Sequence, residues 1–226
     1  MITNCFVTNI FRDRKDAGQF LATKLTKYRH RDDVIVLALP RGGVPVAYEV
    51  AKALNAPLDI FLVRKLGVPG FAEYAMGAIA SGGIRVLNEA LVSQLDIPLE
   101  VVDEVTAREF TELERQERLY RGVRHPLDVT GQTVIIVDDG IATGYTMRAA
   151  VRALRKKNPR QIVIAVPVGE REICNSFKHE VNTVAICAMM PEPFNAVGVF
   201  YRNFAQTTDA EVQQLLRQSQ RTKIAA

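Results

Sequence analysis

Two adjacent carboxylates, Asp138 and Asp139, follow the apolar run Val134-Ile135-Ile136-Val137 and precede the segment GIATGYT. The run has the pattern of a strand buried on both faces of a parallel sheet. Open α/β sheets bind ligands at the carboxyl ends of their strands, so both acids would emerge at a ligand edge. Gly140, Ile141, Ala142, Thr143, Gly144, Tyr145 and Thr146 are mostly small, hydroxylated or glycine. Such a loop lets several backbone N–H groups converge on one anion. Met147 to Lys157 has helical composition, and a helix N-terminus adds its dipole and unpaired N–H groups to anion affinity. Acids beside an anion cradle suit a ligand with a phosphate at one end and hydroxyls, or a magnesium ion, next to it. A ribose phosphate has that form.

Two plainer readings account for parts of the stretch. A strand ending in Asp-Asp can hold the metal of a nucleotide hydrolase, but that chemistry also needs a GxxxxGK[ST] loop, which the sequence lacks. The stretch could also be an ordinary strand, acidic turn and capped helix.

Further upstream, Val34 to Leu39 reads as a buried strand that ends in Pro40-Arg41-Gly42-Gly43, with a helix returning over Val44 to Leu54. This is a second candidate anion site of the same strand, glycine turn and helix design. Leu58 to Val63 reads as a third strand, followed by Arg64, Lys65 and the glycine- and proline-bearing segment LGVPGFAEYAMGA. That segment is expected to be a mobile loop, with Glu73 as an anchor or a ligand contact.

Taken together, a hydrophobic strand, two acids and ATG-x-T resemble the phosphoribosyl-diphosphate signature of type I phosphoribosyltransferases. The resemblance covers roughly Val34 to Ala80 and Thr133 to Met190. It implies that Asp138 and Asp139 hold the ribose hydroxyls, and magnesium through water or the substrate. It implies that Ala142 to Thr146 hold the 5-phosphate. ALPRGGVPVA resembles the family's diphosphate loop, which gives Arg41, Gly42 and Gly43 to the leaving group. Arg64 and Lys65 resemble the basic residues before the family's catalytic loop. The implied reaction displaces diphosphate from phosphoribosyl diphosphate by a ring nitrogen of a base. A regulator that senses phosphoribosyl diphosphate or a nucleotide without turning it over is the alternative. The resemblance, and the need to turn the N–H groups of Arg41 and Gly42 toward a diphosphate, lead us to expect a cis Pro40–Arg41 bond. Gly42 and Gly43 are expected in conformations closed to other residues. Three positions depart from the family pattern: Gly140 replaces a branched aliphatic residue, Tyr145 a Gly or Lys, and Ala142 the Asp of 6-oxopurine enzymes.

Around these motifs, β and α segments alternate: a helix over Asp13 to Tyr28, a strand over Gln161 to Pro167, a helix over Glu170 to His179 and a strand over Val184 to Met189. Alternation implies an α/β fold with a doubly wound, mostly parallel sheet. One domain spanning 1–226 is expected, with a largely helical insertion at about Arg85 to His125 and a small C-terminal hood at about 190–205. In the resembling family such a hood receives the base against an aromatic ring, so Phe194, Phe200, Tyr201 and Phe204 are candidates. Thr207 or Thr208 is expected to cap a last helix.

The chain has 226 residues, 48% of them hydrophobic, and a net charge of +4. This suits an anionic small molecule better than nucleic acid, because Lys and Arg are scattered except for Arg152, Arg155, Lys156, Lys157 and Arg160 at a helix C-terminus. The sequence shows neither a membrane span nor a signal peptide, so a soluble cytoplasmic protein is expected, with a homodimer compatible. Cys5, Cys174 and Cys187 are expected as buried free thiols. His30, His125 and His179 are expected on the surface or in turns.

Overall fold

The computed structural model describes residues 11–126, 128–178 and 183–224. Cys5 and His179 lie outside them, as does the Glu73 side chain. Helix α1 (Arg14–Thr23) opens on Asp13, whose side chain accepts from the Asp16 N–H. Strand β1 (Val34–Ala38), helix α2 (Gly43–Leu54) and strand β2 (Leu58–Ile60) follow. Next come β3 (Val63–Val68), β4 (Phe71–Ala80) and β5 (Ile84–Leu87), then helices α3 (Glu89–Gln94) and α4 (Leu99–Arg121). The chain continues through β6 (Thr133–Val137), α5 (Tyr145–Arg155), β7 (Gln161–Val168), α6 (Arg171–Phe177), β8 (Thr183–Met189) and α7 (Asp209–Ile224).

Five strands form a parallel sheet in the order β2-β1-β6-β7-β8. Side chains alternate between its faces: Val34, Val36 and Ala38 join one apolar cluster with Val46 and Val212, whereas Ile35, Leu37 and Leu39 join another with Met147, Val151 and Phe177. This two-sided burial explains the unbroken β-branched runs. Each such side chain contributes on the order of 1.5 to 3 kcal/mol, so the strand ends are firmly placed. β1 connects onward to β2 on one side and has β6 on its other side, in register from Val34 opposite Thr133 to Ala38 opposite Val137. The order of strands reverses between β1 and β6, and a crevice opens at their carboxyl ends. PRGG follows the first of these strands and DDGIATGYT the second.

A second sheet corrects the expectation of a mobile loop. Arg64 and Lys65 lie within β3, which pairs antiparallel with β4, and β4 pairs antiparallel with β5. Pro69 and Gly70, with Gly70 at φ 78, turn the chain between β3 and β4. The glycine and proline that suggested a loop are hairpin chemistry. Leu66, Met76 and Ile79 are buried beneath the hairpin. β5 also takes the first residues of the segment expected to be helical, while α3 and α4 hold most of the remainder. α4 is fixed at its end by Arg121, whose Nε lies 3.0 Å from both carboxylate oxygens of buried Asp59 and whose other donor reaches the Ile60 carbonyl at 2.7 Å.

A further correction concerns the cysteines: Cys174 of α6 and Cys187 of β8 form a disulfide. Their spacing carries no such signal; the packing of α6 on β8 brings them together. Thr208 accepts from the Glu211 N–H at 3.2 Å and so caps α7. No helix among the described residues is long and apolar enough to cross a membrane.

Candidate functional site

Both loops predicted to bind anions meet at the crevice. α2 begins at Gly43, and a Cβ placed there would come within 2.7 Å of the Val137 carbonyl and 2.9 Å of the Asp138 Cα. A Cβ on Gly42 would overlap the Asp139 carboxylate. The glycines are therefore required by close approach. This corrects the conformational reason expected from sequence, because Gly42 has an ordinary helical φ of −59 and Gly43 is not among the positive-φ residues. The Pro40–Arg41 bond is cis, as expected. Arg41 turns toward the start of α7, where its guanidinium lies 3.5 Å from Asp209, an acid that also accepts from the Tyr120 hydroxyl at 2.6 Å.

The Asp139 N–H donates to Asp138 Oδ1 at 2.8 Å, which folds the two acids against one another. Burial, and then the charge of Asp139, pushes the Asp138 carboxyl well above the ordinary range. Burial also raises Asp139, opposed by the Arg14 guanidinium. Gly140 explains its departure from the family pattern: a Cβ would meet the Val197 side chain at 2.5 Å and the Val168 carbonyl at 3.1 Å. Ile141 is buried and forms a short parallel bridge with Gly169.

Ala142, Thr143, Tyr145 and Thr146 are exposed, whereas Gly144 is buried at φ 74 with Ile173 and Phe177 of α6 behind it. This left-handed glycine starts α5, and the first bond inside the helix runs from the Arg148 N–H to the Gly144 carbonyl. The earlier N–H groups have no partner within the helix, as at every helix start, and they surround the exposed loop. Two helix N-termini, those of α2 and α5, thus flank the acid pair.

Other predicted residues fall elsewhere. Arg64 is tied to α4 by Glu109 at 2.7 Å, so it does not enter the crevice in this arrangement. Lys65 lines a cleft of about 470 Å³ between the second sheet and α5, together with Tyr74, Tyr145, Arg148 and Arg152. Phe194 packs against Phe200 with ring centroids 5.3 Å apart. Tyr201 is not an open ring face: it is buried, packed against Phe11 and Phe204, and its hydroxyl donates to the Asp139 carbonyl at 2.6 Å. Burial pushes its phenol upward. The hydroxyl needs a partner there, and the acid loop supplies it.

Arg14 is the site residue that the sequence conceals. Its Nε donates to Asp139 Oδ2 at 2.8 Å. No motif marks it, and it is 125 positions away from its partner.

Residues 70–184 match the family model for the phosphoribosyl transferase domain. The chain is 45% identical over 212 residues to the Mycobacterium tuberculosis protein named "Putative phosphoribosyl transferase Rv0571c", an alignment that covers 94% of this chain and 47% of the relative. It thus spans about half the length of that relative. It is 41% identical over 140 residues to "Bifunctional protein PyrR" of Halalkalibacterium halodurans, covering 60% of this chain and 73% of that protein. Among solved structures it is similar to TT1426 from Thermus thermophilus, with a TM-score of 0.80 and 39% identity over 92% of this chain and 98% of that one.

Proposed function

The chain belongs to the phosphoribosyltransferase family, and from that premise we propose that it transfers the phosphoribosyl group of phosphoribosyl diphosphate to a nitrogenous base, releasing diphosphate. The observation that supports this most is the glycine-led start of α2 pressed against the half-buried Asp138–Asp139 pair where strand order reverses, with the exposed 142–146 loop and the start of α5 next in the chain. The arrangement offers two anion sites on either side of a hydroxyl-binding site, matching a ligand with a phosphate at C5 and a diphosphate at C1.

On this reading the 142–146 N–H groups hold the 5-phosphate and the acids orient the ribose. Arg41 and the Gly42 N–H receive the diphosphate, whereas Lys65 faces the neighbouring cleft. Arg64 joins them only on leaving Glu109. The transition state gains positive charge on the ribose while negative charge leaves on the diphosphate, so positioning and fixed charges supply the catalysis. Tyr201 and Arg14 hold Asp139 in place, and the residues at 194–204 wall the base side. Magnesium fits this donor set, because it commonly takes one or two carboxylates together with substrate phosphates; when bound it neutralises the leaving group.

A sensor reading is favoured by one observation: Arg41 and Arg64 both already face carboxylates, on Asp209 and Glu109. A panel of purine, pyrimidine and pyridine bases, assayed for diphosphate release with magnesium, tests the proposal. Base-dependent release supports the enzyme. Tight binding of phosphoribosyl diphosphate without release from any base supports the sensor.

A further inference from the structure

Arg14 makes three contacts at once. Besides the bond to Asp139, its other donor reaches the Ala205 carbonyl at 2.7 Å, and its guanidinium carbon lies 3.9 Å from the centroid of the Phe204 ring. Phe204 in turn packs on Tyr201, with centroids 4.9 Å apart, and Tyr201 bonds to the Asp139 backbone. Asp139 is therefore held by its side chain and by its carbonyl, through two residues that share Phe204. The Arg14 and Asp139 side chains are only 12% and 15% exposed, so this pair is shielded from the solvent that weakens surface ion pairs.

Docking of α1 does not need this contact. Ala17 and Leu21 are fully buried, and backbone bonds from Arg202 to Phe11 and from Asn203 to Arg12 already fix the start of the helix. A guanidinium is suited to the alternative task, since its planar fork can fix both the direction and the distance of a carboxylate while stacking on a ring.

We propose that Arg14 is a positioning residue for ribose recognition, fixing the orientation of the Asp139 carboxylate and tying it to the 201–205 segment on the base side of the site. The inference rests on the phosphoribosyl diphosphate reading given above. It also gives the two ends of the ligand site a physical link: movement of Phe204 or Ala205 on binding a base would move Arg14, and with it the acid that faces the ribose.

The test is a double-variant cycle read by calorimetric titration of phosphoribosyl diphosphate with magnesium. The proteins are wild type, Arg14→Ala, Arg14→Lys, Asp139→Asn and Arg14→Ala with Asp139→Asn. Arg14→Ala is expected to weaken binding about tenfold, as for loss of a charge-assisted bond. Arg14→Lys should restore part of the affinity, because lysine keeps the charge but loses the fork. In the Asp139→Asn background, Arg14→Ala should cost less than about twofold more, since its route of action is already gone. Equal affinity of wild type and Arg14→Ala overturns the proposal, as does a full additive loss in the double variant. If Arg14→Ala does not fold, Arg14→Lys completes the same cycle. Failure of wild type to bind at all removes the functional reading and this inference with it; binding by wild type with indifferent Arg14 variants removes the inference alone.

Discussion

The crevice at the β1 and β6 strand ends and the layer built by β3–β5 with α4 both carry arginines close to carboxylates, but the two arrangements do different things. In the crevice, half-buried acids at the end of a parallel strand are pressed against the glycine-led start of α2, and Arg14 holds one of them in place. In the outer layer, Arg64 and Arg121 pair with acids to attach α4: Arg64 to Glu109 within reach of solvent, Arg121 to Asp59 in the interior. On the proposed function, similar ion pairs serve ligand geometry in one place and attachment of a layer in the other. What separates them is the surroundings: the exposed loop at 142–146 follows the first set and hydrophobic packing lies beside the second.

Substitutions should separate the two regions. The largest effect is expected for Asp138→Asn with Asp139→Asn, since each charged acceptor is worth about 1.5 to 3 kcal/mol to a ligand hydroxyl. Titration should show phosphoribosyl diphosphate binding weakened by a factor on the order of 10² to 10⁴. The raised carboxyl pKa values set the sign for stability: an acid whose folded pKa lies above its unfolded value costs free energy when ionised at neutral pH, and that cost disappears as pH falls through the raised value. Thermal unfolding of Asp138→Asn alone, which leaves the Arg14–Asp139 pair intact, should therefore occur at neutral pH at the wild-type temperature or above it.

Arg121→Met should do the reverse. It leaves Asp59 buried without its cation and is expected to cost about 3 to 5 kcal/mol in chemical denaturation. The ligand affinity of the folded fraction should be unchanged. A collapse in that affinity would mean that the outer layer belongs to the site.

Gly43→Ala is expected to cost about 1 to 3 kcal/mol, because its Cβ would press on β6 backbone atoms that cannot easily yield. Denaturation and titration should both register it, since the strain lies between a helix start and the acids. Smallest of all, Arg64→Ala should lower stability by about 1 kcal/mol or less, as for a partly exposed pair. If diphosphate release persists in this variant, Arg64 is an attachment of α4. If release is lost while binding survives, Arg64 leaves Glu109 during the reaction and belongs to the leaving-group site.

Much of the inner region was legible in the sequence because its constraints are local. The β-branched run 133–137, the acids that follow it and the small residues after them lie within 14 positions, and the family resemblance rests on them. The RGG turn was legible for the same reason. Glycine's role there was not: the need for it comes from the Val137 carbonyl and the Asp139 carboxylate, which are distant in sequence. The second sheet was missed because Pro69-Gly70 marks a hairpin turn and a loop alike, and the alternation of β4 is diluted by alanine and glycine. Arg14 and the Cys174–Cys187 bond had no local signal at all, since each depends on elements that only the folded sheet brings together.

The central claim is that one ligand spans the two helix starts across the acid pair. The most direct measurement is a crystal structure with phosphoribosyl diphosphate and magnesium bound. The predicted result is the 5-phosphate against the N–H groups of Ala142 to Thr146, the ribose hydroxyls on Asp138 and Asp139, and the diphosphate at Arg41 to Gly43. A ligand seated instead in the cleft of Lys65 and Tyr74, with the 142–146 loop empty of phosphate, would contradict it.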